Sequence, residues 1–138
     1  MSDIAPIRDG DAEAVIALWR ACGLTRPWND PAVDLALSRD APDSVVLVAR
    51  ADGVIRGSVM TGFDGHRGWV YYLAVHPDSQ RRGLGRALMA AAEAWLAARG
   101  APKLQLMVRD DNADALGFYA ALGLERQPVV TLGKRLAT

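Results

Sequence analysis

The 138 residues match one average domain, and a hydrophobic share of 51% suffices for one packed core under a polar surface. Sixteen basic side chains balance sixteen acidic ones, so no overall field draws the chain to nucleic acid or an anionic membrane, and an anionic ligand must be held by local features. Cys22 is the only cysteine, which excludes an internal disulfide, and the first thirteen residues carry four acids and no long apolar run, unlike a signal peptide or membrane span, so the expected location is the cytoplasm.

Ile4 to Arg8 predicts a short strand. Asp9-Gly10-Asp11 offers an N-cap for a helix on which Val15, Leu18, Trp19 and Cys22 recur at helical spacing, with Gly23 as its stop. Asp30 before Pro31 is a second helix start, opening a helix through Leu37, and the loop between the two helices holds Arg26, Trp28 and Asn29. Ser44 to Arg50 and Val54 to Thr61 are β-branched runs joined at Asp52-Gly53, a hairpin signal because both positions tolerate positive φ. After a polar loop, Trp69 to Val75 is apolar on both alternating faces and predicts a central strand buried on two sides, ending at His76-Pro77.

Leu84, Leu88, Ala91, Ala92 and Trp95 predict the buried stripe of a helix that starts near Gly83 and closes at Arg99 and Gly100. Lys103 to Val108 predicts a strand, Ala113 to Leu122 a helix stopped by Gly123, and Leu124 to Leu136 a last strand region interrupted by Pro128. The expected order is βααβββαβαβ, with six strands, or seven if the last region splits, in a single mixed α/β domain over residues 1–138.

The most informative segment is Gln80-Arg81-Arg82-Gly83-Leu84-Gly85-Arg86, which joins a buried strand to a long helix. Main-chain N–H groups at a helix start lack intrahelical partners, the helix dipole adds positive charge, and glycines admit a ligand close to the backbone, so a diphosphate fits. Arg81, Arg82 and Arg86 either add charge-assisted bonds to phosphates or form a solvated basic turn. A Walker loop needs a Gly-Lys-Ser/Thr ending that is missing here, and a dinucleotide fingerprint needs a small residue where Leu88 stands.

With Gln80, Gly83 and Gly85 satisfying Gln/Arg-x-x-Gly-x-Gly/Ala after a hydrophobic strand, the chain resembles the GCN5-related N-acetyltransferase (GNAT) superfamily. LAVHP, RALMAAAEAW and NADALGFYAALGL resemble that family's strand, helix and C-terminal motif, and LTRPWNDP, FDGHRGWVYYLAVHP and LGKRL resemble its small bacterial YpeA-type members. The resemblance implies an α+β fold with a mostly antiparallel sheet of about six to seven strands, about four helices, a bulged fourth strand, and fourth and fifth strands parallel and splayed. It implies acetyl-CoA as cofactor and direct transfer of acetyl to a primary amine. Leu73, Ala74 and Val75 would meet the pantetheine arm, residues Gln80 to Arg86 the diphosphate, and Asn112, Phe118 and Tyr119 would contact the cofactor from the last helix. Tyr119 is the implied general acid, protonating the departing sulfur. A N-cap for Asn112 and a core aromatic for Tyr119 are the structural alternatives.

The strand from Trp69 to Val75 carries no Glu or Asp to serve as base, so Asp64, His66, Asp30 or Tyr72 acting through water are the candidates, against ordinary roles as turn, cap or core residues. Arg26, Trp28, Asn29 and Asp30 lie where the family builds its acceptor wall, Trp28 to pack on an acceptor and Asp30 to attract its ammonium group. The Tyr71-Tyr72 pair lines the groove from either sheet face or belongs to the core. Cys22 on an apolar helical face reads as a small buried hydrophobe, which disfavours a ping-pong route, and His66 with His76 does not make a metal site. The acceptor amine is open between a small molecule, a lysine and a protein N-terminus. A homodimer through the last strands is one arrangement the resemblance allows. A non-catalytic acyl-CoA-binding module and a nucleotide-binding protein are the competing functions.

Overall fold

The computed structural model describes residues 3–136, which divide into two compact units, Met1–Met107 and Val108–Thr138. The first unit contains strands β1 (Asp3–Pro6), β2 (Ser44–Ala51), β3 (Val54–Phe63), β4 (Gly68–Val75) and β5 (Leu104–Leu106), in that spatial order, with helices α1 (Ala12–Ala21), α2 (Pro31–Asp40) and α3 (Leu84–Ala98). The second contains α4 (Ala113–Ala121). Strands β1 to β4 pair antiparallel and β5 joins β4 in parallel. Among the described residues no helix is long and apolar enough to cross a membrane.

Local chemistry accounts for most boundaries. Asp52 and Gly53 both take positive φ, 51° and 76°, the geometry of a two-residue hairpin whose twist suits its strands. The Asp30 carboxylate accepts from the Ala32 N–H at 2.9 Å and Pro31 opens α2, which runs three residues past the expected Leu37. Asp11 stands at the N-cap of α1, but its carboxylate takes the Arg8 N–H at 2.9 Å and the Arg50 guanidinium at 2.7 Å in place of a helix amide.

Gly57 and Ser58 are neighbours on β3 and so point to opposite faces. Ser58 meets Trp19 of α1, whereas a Cβ on Gly57 would lie 2.8 Å from Leu88 of α3. The sheet is therefore covered on both sides. Val15, Leu18, Trp19 and Leu35 pack on Val46, Val48, Ile55, Met60 and Ala74 from one side, and α3 presses on the other. The buried stripe of α3 is Leu84, Leu88, Met89, Ala92 and Leu96, so Met89 and Leu96 replace the expected Ala91 and Trp95. Trp95 is half-buried beneath the Arg99 guanidinium, 3.6 Å from its ring.

Three expectations are corrected. The sheet has five strands, because residues 124–136 form none: Pro128 removes a ladder donor, and Val129, Val130, Leu132 and Leu136 hold their apolar side chains in solvent, at least 74% exposed. The strand expected at Lys103 to Val108 is only Leu104–Leu106. Strand β4 is not buried along its whole length either, since Tyr71 is 43% exposed.

The close seat of α3 on the sheet needs glycine at Gly68 as well, where a Cβ would stand 2.6 Å from the Leu96 Cδ1. Gly68→Ala is expected to destabilise the protein by about 1–3 kcal/mol through overpacking, read as a lower urea midpoint with unchanged slope.

Candidate active site

Strand β4 carries the first element of the site. Ser58 pairs with Ala74 while Met60 pairs with Tyr71, so two steps on β3 face three on β4 and an extra residue is accommodated at Tyr72 and Leu73. Tyr72 absorbs it with φ of +52°, uncommon for a bulky side chain. Side-chain bonds surround this position: the Ser58 hydroxyl donates to the Tyr72 carbonyl at 3.0 Å and accepts from Trp19 Nε1 at 2.9 Å. The Tyr72 ring stacks on Trp19 at 3.8 Å and its phenol donates to Asp34 Oδ2 at 2.6 Å. Burial first, then the Asp34 carboxylate, pushes the Tyr72 pKa far up.

Because Gly68 faces α3, alternation sends Trp69 and Tyr71 to the α1 face, and the extra residue returns Tyr72 to that same face. Both tyrosines therefore share one side of the sheet. Strand β5 pairs with Gly68, Trp69 and Val70, and among the described residues no strand pairs with β4 on that edge from Tyr71 to Val75. The end of β4 is tied down by the Val75 carbonyl, which accepts from Cys22 Sγ at 3.2 Å and Gln80 Nε2 at 3.3 Å. Burial raises the Cys22 thiol above its ordinary value, as befits a donor and not a nucleophile.

The second element follows at once. His76 Nδ1 accepts from the Asp78 N–H at 3.1 Å, capping a single 3₁₀ turn, Pro77–Ser79. The chain then turns through Arg81 with φ of +65° and Gly83 with φ of +77° into Leu84, the first residue of α3. No side chain caps α3, so the amides of Leu84, Gly85 and Arg86 face outward without helical acceptors. Arg81, Arg82 and Arg86 are exposed and make no ion pair or side-chain hydrogen bond among the described residues, and no acid lies in the first turn. Three cations at the positive end of a helix are unfavourable by themselves and become favourable against an anion. These residues fit a diphosphate.

In the second unit, Asn112 Oδ1 accepts from the Ala115 N–H at 3.1 Å and so caps α4. Phe118 and Tyr119 are half-buried and meet edge to face at 5.1 Å, and burial raises the Tyr119 pKa, keeping the phenol protonated.

The remaining predicted residues are dispersed. Asp64 accepts from the His66 and Arg67 amides at 2.8 and 2.7 Å and from Trp69 Nε1 at 3.1 Å, and those bonds, the Arg67 amide first, hold its pKa below the usual carboxylate range. It is a turn residue poorly suited to take a proton. Asp30 caps α2, and Arg26 donates to the Gly23 and Thr25 carbonyls within its own loop, beside Asn29 and a Trp28 that is 58% exposed. Of the four candidate bases, His66 alone makes no side-chain hydrogen bond. Sequence reasoning missed Trp19, Ser58 and Asp34 as the support of the bulge. A hydroxyl between Gly57 and Val59, at an inward position of β3, was the available signal at Ser58.

A model of the acetyltransferase (GNAT) family matches residues 12–124. An acetyltransferase of Pectobacterium atrosepticum is 50% identical over 134 residues, covering 97% of this chain and 95% of that protein. Among solved structures, the aminoglycoside N-acetyltransferase AAC(6')-Iy, bound to the bisubstrate analog CoA-S-monomethyl-acetylneamine, superposes with a TM-score of 0.84 at 21% identity, covering 98% of this chain and 99% of the other. A ribosomal-protein alanine N-acetyltransferase of Escherichia coli gives a TM-score of 0.77 at 28% identity, covering 89% and 77%.

The Tyr72 phenol stays protonated in the fold at pH values where the unfolded chain ionises it, so its share of stability is complete below about pH 10 and is lost as the pH rises beyond. Urea titrations between about pH 8 and 11 are expected to show this decline, and Tyr72→Phe to make it shallower.

Proposed function

Because the chain belongs to the acetyltransferase (GNAT) family, whose cosubstrate is acetyl-CoA, we propose that it transfers acetyl to a primary amine by direct attack with both substrates bound. The observation that carries this reading is the uncapped start of α3 beside three exposed arginines that have no acidic partner among the described residues. Arg81, Arg82, Arg86 and the first-turn amides would hold the diphosphate, with Gln80, Gly83, Leu84 and Gly85 shaping the turn. When bound, acetyl-CoA supplies the acetyl group as a reactive thioester. The free edge of β4 from Leu73 through Ala74 to Val75 would accept the pantetheine amides as an added strand, and a main-chain N–H there would stabilise the developing negative charge on the carbonyl oxygen.

Transfer forms a C–N bond and breaks a C–S bond, so the nitrogen loses a proton and the sulfur gains one. Tyr119, whose phenol is protonated at neutral pH and is pushed further up by burial, is the proposed donor to sulfur, with Asn112 and Phe118 beside it in the same motif. The proton of the amine leaves to His66 or to water. Acceptors named for the structural neighbours span an aminoglycoside and a ribosomal-protein alanine, so both enter the test.

Steady-state release of free CoA across polyamines, aminoglycosides and peptide N-termini tests the reading, and at least one class is expected to support turnover. Tyr119→Phe is expected to lower kcat on the order of a hundredfold with little change in acetyl-CoA affinity. Thermal stabilisation by acetyl-CoA without CoA release from any amine would mark a binding module, and equal stabilisation by ATP or NAD a nucleotide-binding protein.

A further inference from the structure

An open cleft of about 470 Å³ lies in the first unit between the loop that follows α2 and the β3–β4 hairpin. Its rings come from Phe63, Trp69 and Tyr71, its carboxylates from Asp43 and Asp64, and no Lys, Arg or His lines it. The Trp69 and Tyr71 rings lie within 18° of parallel with centroids 6.5 Å apart, a short aromatic wall along β4. Three donors orient the Asp64 carboxylate and keep it charged. Its charge reaches the cleft: after burial, it is the second cause that raises the Tyr71 phenol. The neighbouring Arg67 guanidinium donates to the His66 carbonyl at 3.0 Å, within its own loop. Aromatic faces beside carboxylates are the chemistry that holds an organic ammonium group, and neither a phosphate nor an apolar peptide is favoured there.

We propose that this cleft is an acceptor subsite that binds one ammonium of an extended polyamine, while a second amine of the same molecule reaches the β4 bulge. The proposal rests on the acetyltransferase reading for its second half only. Tyr71 lines the cleft and directly precedes the bulge, so the cleft adjoins the bulged stretch along β4. From Trp69 to Leu73 the strand advances roughly 10–13 Å at about 3.3 Å per residue. The two terminal amines of spermidine can span such a distance, whereas the shorter putrescine cannot. The held ammonium stays protonated and takes no part in the bond changes.

Spermidine, putrescine and butylamine are the probes, titrated into the full chain by calorimetry without acetyl-CoA. Spermidine is expected to bind more tightly than butylamine, and Asp43→Asn and Tyr71→Leu, both at exposed positions, to weaken it by on the order of tenfold. In turnover the same variants are expected to raise KM for spermidine while leaving kcat and acetyl-CoA affinity unchanged. Spermidine bound no better than butylamine, or equally well by both variants, would overturn the proposal, as would variants that change the oligomeric mass in place of amine affinity. Cleft-dependent spermidine binding with no CoA release from any amine would instead defeat the acetyltransferase reading and leave the subsite standing.

Discussion

The site depends on one residue held in an unfavourable backbone conformation. Tyr72 has to sit at φ +52° for β4 to carry an extra residue, and that conformation costs on the order of 1–3 kcal/mol for a side chain of this size. What opposes the cost is local: a hydroxyl on its carbonyl, an indole against its ring and a carboxylate on its phenol. These contacts come from β3, α1 and α2, so the bulge is clamped by three elements distant in sequence. A buried serine serves here because it both accepts from Trp19 and donates to Tyr72, leaving no orphaned polar atom.

The second constraint is the approach of α3 to the sheet. Gly57 and Gly68 lack the carbon that would meet Leu88 and Leu96, and Leu84 is buried at the start of the same helix. That contact fixes where the first turn emerges relative to the end of β4. The 3₁₀ turn and the Gln80 amide on the Val75 carbonyl bridge the short interval. An anion site built on main-chain amides needs such anchoring, because amides cannot adjust as long side chains do.

The elements legible in the sequence were those with strong local chemistry. Asp52-Gly53, Asp30-Pro31 and Gly83 each state a backbone requirement that only a few residue types meet, and each appears where expected. Periodicity was weaker guidance on α3, where alanine on several sides left the buried stripe ambiguous between Trp95 and Leu96. The last segment misled because β-branched residues advertise a strand whether or not a pairing edge exists, and Pro128 was the only local sign against it. At the site, the turn proposed to hold the diphosphate was readable as a motif. The supports of the bulge were not, since the distance from Trp19 to Ser58 to Tyr72 along the chain carries no periodic trace.

The additional residue in β4 also acts as a parity change. Upstream of it the odd-numbered positions Trp69 and Tyr71 look toward α1; downstream the even-numbered Tyr72 and Ala74 do. Because the bulge adds one residue, deleting one there would restore strict alternation and leave Ala74 opposite Ser58 and Val75 opposite Gly57, whereas flattening the bulge at unchanged length would exchange the two faces for everything beyond, turning Val75 toward α1 and Ala74 toward α3. Length and bulge in this strand are therefore coupled, and conservative replacement at Leu73 is easier to accommodate than an insertion or deletion that leaves the bulge in place.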